Sequence, residues 1–417
     1  MSHSLTAPLR RSSSGRLRTN RVDRRLGELL QRSIETASVR LVLWDGSCTY
    51  QRGDYVGDLV VRDRRTLIGL IVQPNYYFGE AYMSGRLVVR GPLEPVVEAL
   101  SRLHTEDWLW LDRILSRLSI PTSLSSARRN VHAHYDLGND FYKLWLDPEM
   151  LYTCAYYDRP DVALEAAQYR KLDLICRKLA LKPGETVVEA GCGWGALALH
   201  MARHYGVRVK AFNISEAQLA HARERARREE LSNRVEFIDD DYRNVDGGCD
   251  VFVSVGMLEH VGLRHFGSLA TVLRRVVKRQ GGRGLLHFIG RDTPRPLNTW
   301  IRRRIFPGAY PPTIADVTTQ VLTPAGQSVI DVENMRLHYE RTLAAWSARF
   351  SGNRDVVRAR YGDEFTRAWE LYLAGSQAAF ASGWLQLFQI VFTPHESRPP
   401  WWTRPCHTEA GAADGSK

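Results

Sequence analysis

The stretch Val187-Val188-Glu189-Ala190-Gly191-Cys192-Gly193-Trp194-Gly195 decides how this chain folds. A short apolar run, Thr186–Val188, leads into three closely spaced glycines, and an apolar helical pattern (Leu197, Leu199, Met201, Ala202) follows. That order reads as strand, tight turn and helix, which sets backbone N–H groups at a helix start where a ligand can lie against them. Glycine suits such a turn because a side chain would block the approach or forbid the backbone angles. Outward from the turn, strands are expected at 186–190, 208–212, 234–238, 250–255 and 283–288, and helices at 163–180, 196–205, 215–230 and 266–279. Alternation of this kind predicts an α/β fold, a doubly wound parallel sheet with ligands at the carboxyl ends of its strands.

On either side of this core the pattern changes. Val39–Trp44, Val56–Val61 and Arg86–Val89 alternate apolar and polar residues between Gly and Asp punctuation. Thr66–Val72 reads as helical or buried, a helical turn is expected to begin at Gly79–Met83, and helical spacing runs over Leu93–Leu118. The organisation expected is a basic disordered tail (1–25), a small N-terminal α+β domain (26–120), a linker (121–129), the large α/β domain (130–395) and a second disordered tail (396–417). Late in the large domain, Leu343–Phe350 and Phe365–Phe380 read as helices, and Trp384–Phe392 as a strand forming the final edge of the sheet.

At 417 residues the chain exceeds one typical domain, and 44% hydrophobic residues suffice for sizeable cores. A net charge of +11, mostly from arginine, favours an anionic partner, either nucleic acid or an anionic membrane surface, or is simply the balance of a soluble basic protein. No apolar run approaches the roughly 18 residues of a membrane-crossing helix, and the N-terminus lacks the apolar stretch of a secretory signal. Six scattered cysteines show no metal-ligand spacing, so no metal site is expected, and their usage reads as reduced and cytosolic. Nothing resembles a nucleic-acid module or an Asn/Asp-Pro-Pro-Tyr amino-methylation motif.

Gly-x-Gly-x-Gly differs from the dinucleotide fingerprint Gly-x-Gly-x-x-Gly and is typical of S-adenosylmethionine-dependent methyltransferases. Further motifs make the resemblance specific. They include Ala133-His134-Tyr135-Asp136-Leu137-Gly138-Asn139-Asp140-Phe141-Tyr142, Tyr152-Thr153-Cys154-Ala155-Tyr156 and Ser254-Val255-Gly256-Met257-Leu258-Glu259-His260-Val261-Gly262. Leu285–Gly290, Ile305-Phe306-Pro307-Gly308 and His338–Leu343 continue the series. From about Asn130 to Phe392 the chain resembles the cyclopropane-fatty-acyl-phospholipid synthase family, which includes the mycolic-acid cyclopropane synthases. The N-terminal segment is similar, less specifically, to that family's small accessory domain.

The resemblance implies a Rossmann-like methyltransferase domain that uses S-adenosylmethionine and bicarbonate. In that family the cis double bond of a phospholipid acyl chain attacks the sulfonium methyl group. A base then takes a proton from the transferred methyl so that a cyclopropane ring closes. Cofactor contacts are implied for Tyr152, Thr153, Glu189, Gly191, Gly193, Gly195, Asn213, Gln218, Tyr242 and Arg243. A bicarbonate pocket is implied for Cys154, Glu259, His287, Ile289 through its backbone, and Tyr339. Taken singly, His287 reads as a core histidine and Tyr339 as a packed aromatic. Tyr156, Phe288 and Trp346 are candidates to face a carbocation. Ser376 stands where many members have Cys, Thr153 where Ser is commoner, and Asn213 where Thr is commoner. Arg302-Arg303-Arg304 reads as a lipid-phosphate site or as a solvated helix end.

The expected function is therefore cyclopropane formation on unsaturated phospholipid at the inner face of the cell membrane, by a peripheral protein for which the resemblance implies a homodimer. The alternatives are lipid C-methylation without ring closure, methylation of a small molecule on the same fold, and lipid binding without catalysis.

Overall fold

The computed structural model describes residues 18–48, 53–103 and 137–402. The linker expected at 121–129, the helical pattern beyond residue 103, and the first four residues of the Ala133–Tyr142 motif lie outside them.

The first unit is a three-stranded sheet with helices packed on it. Strands β1 (Val39–Val42) and β2 (Gly57–Val61) pair in parallel, and β3 (Leu87–Arg90) pairs antiparallel to β2. Inward residues of all three strands meet Leu30, Leu67, Leu70 and Val96 in one core. The helix Arg21–Ser33 begins inside the stretch expected to be disordered. Its start is fixed by a capping box: the Asn20 side chain accepts from the Asp23 N–H at 2.9 Å, and Asp23 accepts from the Asn20 N–H at 2.9 Å. Asp23 is buried and also takes the Arg64 guanidinium in a bidentate pair at 2.6 and 2.8 Å. Gly79–Met83 closes the helix Pro74–Met83 rather than opening one.

The large unit is a seven-stranded mixed sheet, in the order β6-β5-β4-β7-β8-β10-β9. These strands are β4 (Thr186–Ala190), β5 (Arg208–Asn213), β6 (Val235–Asp239), β7 (Val251–Val255), β8 (Arg283–Gly290), β9 (Gln327–Asn334) and β10 (Gln386–Pro394). The five expected strands form the parallel part. The four expected helices are present at Leu164–Lys178, Ala196–Tyr205, Glu216–Arg228 and Phe266–Val276.

One expectation is corrected at the far end. β10 is not the edge: it runs antiparallel between β8 and β9, and every residue in it is buried. The edge is β9, a strand with an inverted pattern. Its buried positions include Gln327 and Asp331, while Val329 and Val332 are exposed. The tail expected from 396 is ordered as far as it is described. The Gly281 N–H donates to Ser397 Oγ at 2.9 Å, and Trp401 Nε1 donates to the Lys178 carbonyl at 2.9 Å.

The small unit docks on the large one through the helices Pro74–Met83 and Leu93–Ser101. Glu80 takes Arg304 in a bidentate pair at 2.7 Å per bond, Arg367 Nε donates to the Met83 carbonyl at 2.7 Å, and Trp384 Nε1 donates to the Ser101 carbonyl. Arg303 lies over the Tyr76 ring at 5.0 Å. Arg303 and Arg304 are thus drawn into this contact. Gly79 lies against Trp300, whose Cγ would be 2.3 Å from an added Cβ. Replacing Gly79 with Ala is expected to cost about 1–3 kcal/mol through overpacking, read as a fall in thermal midpoint. Gly193→Ala, whose added Cβ meets nothing within 4 Å, is expected to cost less despite its positive φ of 54°.

Candidate functional site

Two cavities meet at the carboxyl ends of the parallel strands. The smaller, about 210 Å³, surrounds the glycine turn. Glu189 closes β4, Gly191 and Gly193 form the turn, Asn213 ends β5 and Gln218 begins the next helix, while Tyr242 and Arg243 follow β6. Tyr152 and Thr153 form the opposite wall. Nine of the ten expected cofactor positions therefore line one cavity. Gly195 is not among its walls. With φ of 83° it lets the helix start pack on Phe237 and Ala222, which would lie 2.6 and 2.8 Å from a Cβ.

The turn is held from below. The N–H groups of Gly191 and Cys192 both donate to the Phe212 carbonyl, at 2.9 and 3.1 Å. Asn213 Nδ2 donates to the Gly193 carbonyl at 3.1 Å and to Gln218 Oε1 at 2.8 Å. Asp241 grips Arg243 in a bidentate pair at 2.7 and 2.8 Å, which fixes the loop after β6.

The Tyr152–Cys154 wall is positioned by the helix Leu164–Lys178. Gln168 Nε2 donates to the Thr153 carbonyl and Lys171 Nζ to the Thr153 hydroxyl, both at 2.9 Å. Lys171 is buried and lines the cavity opposite Glu189. Burial pulls its ammonium down to about 8 and pushes the Glu189 carboxyl up to about 8, against their mutual attraction. Neither Lys171 nor Gln168 was expected from the sequence. Their spacing of three on one helix face was the available signal. Trp194 and His260, also unforeseen, line the same cavity.

The larger cavity, about 740 Å³, is mostly apolar and reaches from the reaction centre to the small unit. Cys154, Glu259, His287, Ile289 and Tyr339 all line it. Tyr152, Thr153, Gly256, His260 and Phe306 line both cavities and mark where they join. Ser376 lies on its wall. None of the three aromatic candidates is on the wall of either cavity. Phe288 belongs to the core on the other face of β8, and Tyr156 stacks on His338 at 4.6 Å. Trp346 packs behind Tyr152 and Tyr339. The aromatic rings on the cavity wall include Phe306, Tyr339, Tyr372 and Phe380.

Glu259 is buried, and burial pushes its carboxyl up to about 7. Its Oε1 accepts a long bond from the Ile289 N–H at 3.5 Å, and its Oε2 has no hydrogen-bond partner among the described residues. His287 Nε2 also lacks one. The proton on His287 can be placed by following its neighbours. Lys178 Nζ, a donor only, points at Gln389 Oε1 at 2.8 Å. The Gln389 NH₂ group therefore faces His287 Nδ1, 3.0 Å away, and donates to it. An accepting Nδ1 puts the ring proton on Nε2. Burial holds the ring neutral, well below the usual histidine range. The Cys154 thiol is pushed far up by burial and is not a nucleophile at neutral pH.

Fold and site together define the class: an α/β methyltransferase, dependent on S-adenosylmethionine, with an apolar substrate cavity beside the cofactor turn. The chain belongs to the mycolic acid cyclopropane synthetase family, whose sequence profile matches residues 122–390. It is 35% identical over 384 residues to the "Probable fatty acid methyltransferase" of Pseudomonas putida, covering 88% of this chain and 95% of that one. It is 38% identical over 261 residues to the cyclopropane-fatty-acyl-phospholipid synthase of Escherichia coli K12, covering 62% of this chain and 66% of that one. Among solved structures, mycolic acid cyclopropane synthase CmaA1 complexed with SAH and CTAB matches with a TM-score of 0.60 and 31% identity, over 64% of this chain and 97% of that one.

The proton placement is testable. Gln389→Glu keeps the bond from Lys178 but has no NH₂ to give His287. The ring is expected to turn its proton to Nδ1, visible in the ¹⁵N shifts of His287. Methyl transfer is expected to fall at least about tenfold with the loss of a positioned donor, while cofactor affinity by calorimetry stays unchanged.

Proposed function

We propose that the chain transfers a methylene group from S-adenosylmethionine to the cis double bond of an unsaturated phospholipid acyl chain, closing a cyclopropane ring with bicarbonate as the base. The observation that carries this reading is the pair of buried, unpartnered polar atoms, Glu259 Oε2 and His287 Nε2, on the wall of an apolar cavity that joins the glycine-turn cavity. Such atoms are costly to bury unless a ligand completes their hydrogen bonds.

The residues fit a small oxyanion that carries one proton. His287 offers an N–H, and the Ile289 N–H and the Tyr339 hydroxyl stand on the same wall. Glu259 tends to hold a proton near neutrality, so carboxylate and anion can share one instead of repelling. Bicarbonate held there supplies the base that removes a proton from the transferred methyl group. Gly191 and Gly193, with Tyr152 and Thr153 on the same cavity wall, would hold S-adenosylmethionine, which would supply the methyl group. An alkene is a weak nucleophile, so the work of the protein is orientation and exclusion of water. The apolar wall does both, and its aromatic faces stabilise positive charge as it develops on the acyl chain. No helix among the described residues is long and apolar enough to cross a membrane.

The Pseudomonas relative supports a second product on the same site. If the proton leaves from a neighbouring carbon instead of the new methyl, a methylated, still unsaturated chain results. Incubation with S-adenosylmethionine, bicarbonate and vesicles of cis-unsaturated phospholipid, followed by chromatography and mass spectrometry, decides between them. A gain of CH₂ with loss of the double bond is expected. A gain of CH₂ with unsaturation kept selects the second product, and no lipid product at all overturns the lipid reading.

Glu259 must be ionised to accept a hydrogen bond from the anion. Its raised pKa moves the acid limb up from the usual carboxylate range to about 7. At fixed bicarbonate ion, kcat/KM is expected to rise about tenfold per pH unit below 7 and level off above. Glu259→Gln is expected to lose that limb together with most of the activity.

A further inference from the structure

Arg291 is a buried cation for which the described residues provide no acid. It follows β8 directly, and the alternation of the strand puts it on the face of His287 and Ile289. All three line the larger cavity. Its backbone N–H donates to the Pro312 carbonyl at 3.0 Å, which fixes its position. Only 7% of the residue is exposed, its Nε has no hydrogen-bond partner, and no ion pair reaches it among the described residues. The charged and titratable neighbours do not compensate it. Arg295 is a second cation, drawn to Thr293 Oγ1 at 2.9 Å and over the Trp384 ring at 4.6 Å. The Asp292 carboxylate accepts from Gln386 Nε2 at 2.9 Å, and the Tyr310 phenol is neutral. Burial and Arg295 pull the Arg291 guanidinium down to about 9, which leaves it charged at neutral pH.

A buried guanidinium with no carboxylate is strongly unfavourable unless an anion arrives from outside. We propose that Arg291, with Arg295 beside it, binds the phosphodiester of the lipid substrate and so sets how far the acyl chain reaches toward Glu259 and His287. This rests on the lipid reading above. A guanidinium meets phosphate oxygens in a planar, bidentate pair, which fixes orientation as well as position. Arg291 lies four residues along the strand from His287, about 13 Å at strand spacing. The two arginines would hold the headgroup end while the methylenes lie along the apolar wall between.

The test uses the full-length enzyme and Arg291→Gln, with Arg291→Lys as the conservative variant. Substrates are dioleoylphosphatidylglycerol vesicles and, lacking phosphate, monooleoylglycerol in neutral-detergent micelles. Arg291→Gln is expected to raise KM for phosphatidylglycerol at least tenfold with kcat within twofold, to leave monooleoylglycerol kinetics unchanged, and to unfold no earlier than wild type without lipid. Arg291→Lys is expected to restore part of the KM. An unchanged KM for phosphatidylglycerol, or an equal loss on both substrates, overturns the proposal. Short-chain phosphatidylglycerol should raise the thermal midpoint of wild type and not of Arg291→Gln. That readout decides the anchor even if methyl transfer to every lipid fails, which would sink the lipid reading instead. If inorganic phosphate gives an Arg291-dependent shift and short-chain phosphatidylglycerol gives none, the site takes free phosphate and the headgroup assignment is wrong.

Discussion

One row of side chains across the antiparallel end of the sheet holds the reacting wall in place. In the register of β8, β10 and β9, His287 stands opposite Gln389, and Gln389 opposite Glu333. Lys178 reaches into this row from the end of its helix and bonds both Gln389 and Glu333, with Asp331 3.5 Å away. The row is a chain of hydrogen bonds that runs from an ion pair through one amide to one neutral imidazole. Breaking a buried network from one side leaves the rest uncompensated, so its members stand or fall together. A slip of one residue between β8 and β10 would turn His287 away from its partner. The antiparallel pairing thus supplies both sheet closure and the orientation of a ring.

The same economy appears at the Tyr152–Cys154 segment. It separates the two cavities and belongs to no regular element, so its shape has to be imposed. Gln168 and Lys171 impose it from one side, and the Thr342 hydroxyl, accepting from the Ala155 N–H at 3.0 Å, from the other. Asp147 accepts from the N–H groups of Glu149 and Leu151 and shapes the turn that leads in. Where the cavity wall is a loop, as at Tyr152–Cys154, buried polar groups tie it to neighbouring helices. That is how a site on connecting segments can hold atoms to hydrogen-bond precision.

The parallel strands and their helices were legible in the sequence because their inward residues are apolar and periodic. β9 was not, because two of its inward positions are the polar Gln327 and Asp331, the second of them set beside buried Lys178. The helix at Arg21–Ser33 was hidden by its basic composition, although Asn20 and Asp23 carry the spacing of a capping box. The residues that the motifs proposed do stand around the two cavities, apart from Gly195, which serves packing. The residues that position them could not. Gln389 is a lone amide in the apolar run Leu387–Val391, and its partners are distant in the chain. Arg291 continues the alternation His287, Ile289, but its meaning depends on what surrounds it in three dimensions.

The larger cavity is walled on one side by Leu30, Ile34, Leu59, Leu70 and Phe78, residues of the small unit that carries none of the reacting groups. Nearly all of the solved synthase CmaA1 superposes on less than two-thirds of this chain. Under the proposed function, the reacting groups and part of the substrate chamber come from different stretches of the polypeptide. Substitutions in the first hundred residues can lengthen, narrow or reshape the chamber while the reacting groups go unchanged. For selection, or for a designer, that makes the small unit an adjustable mould around a constant reaction.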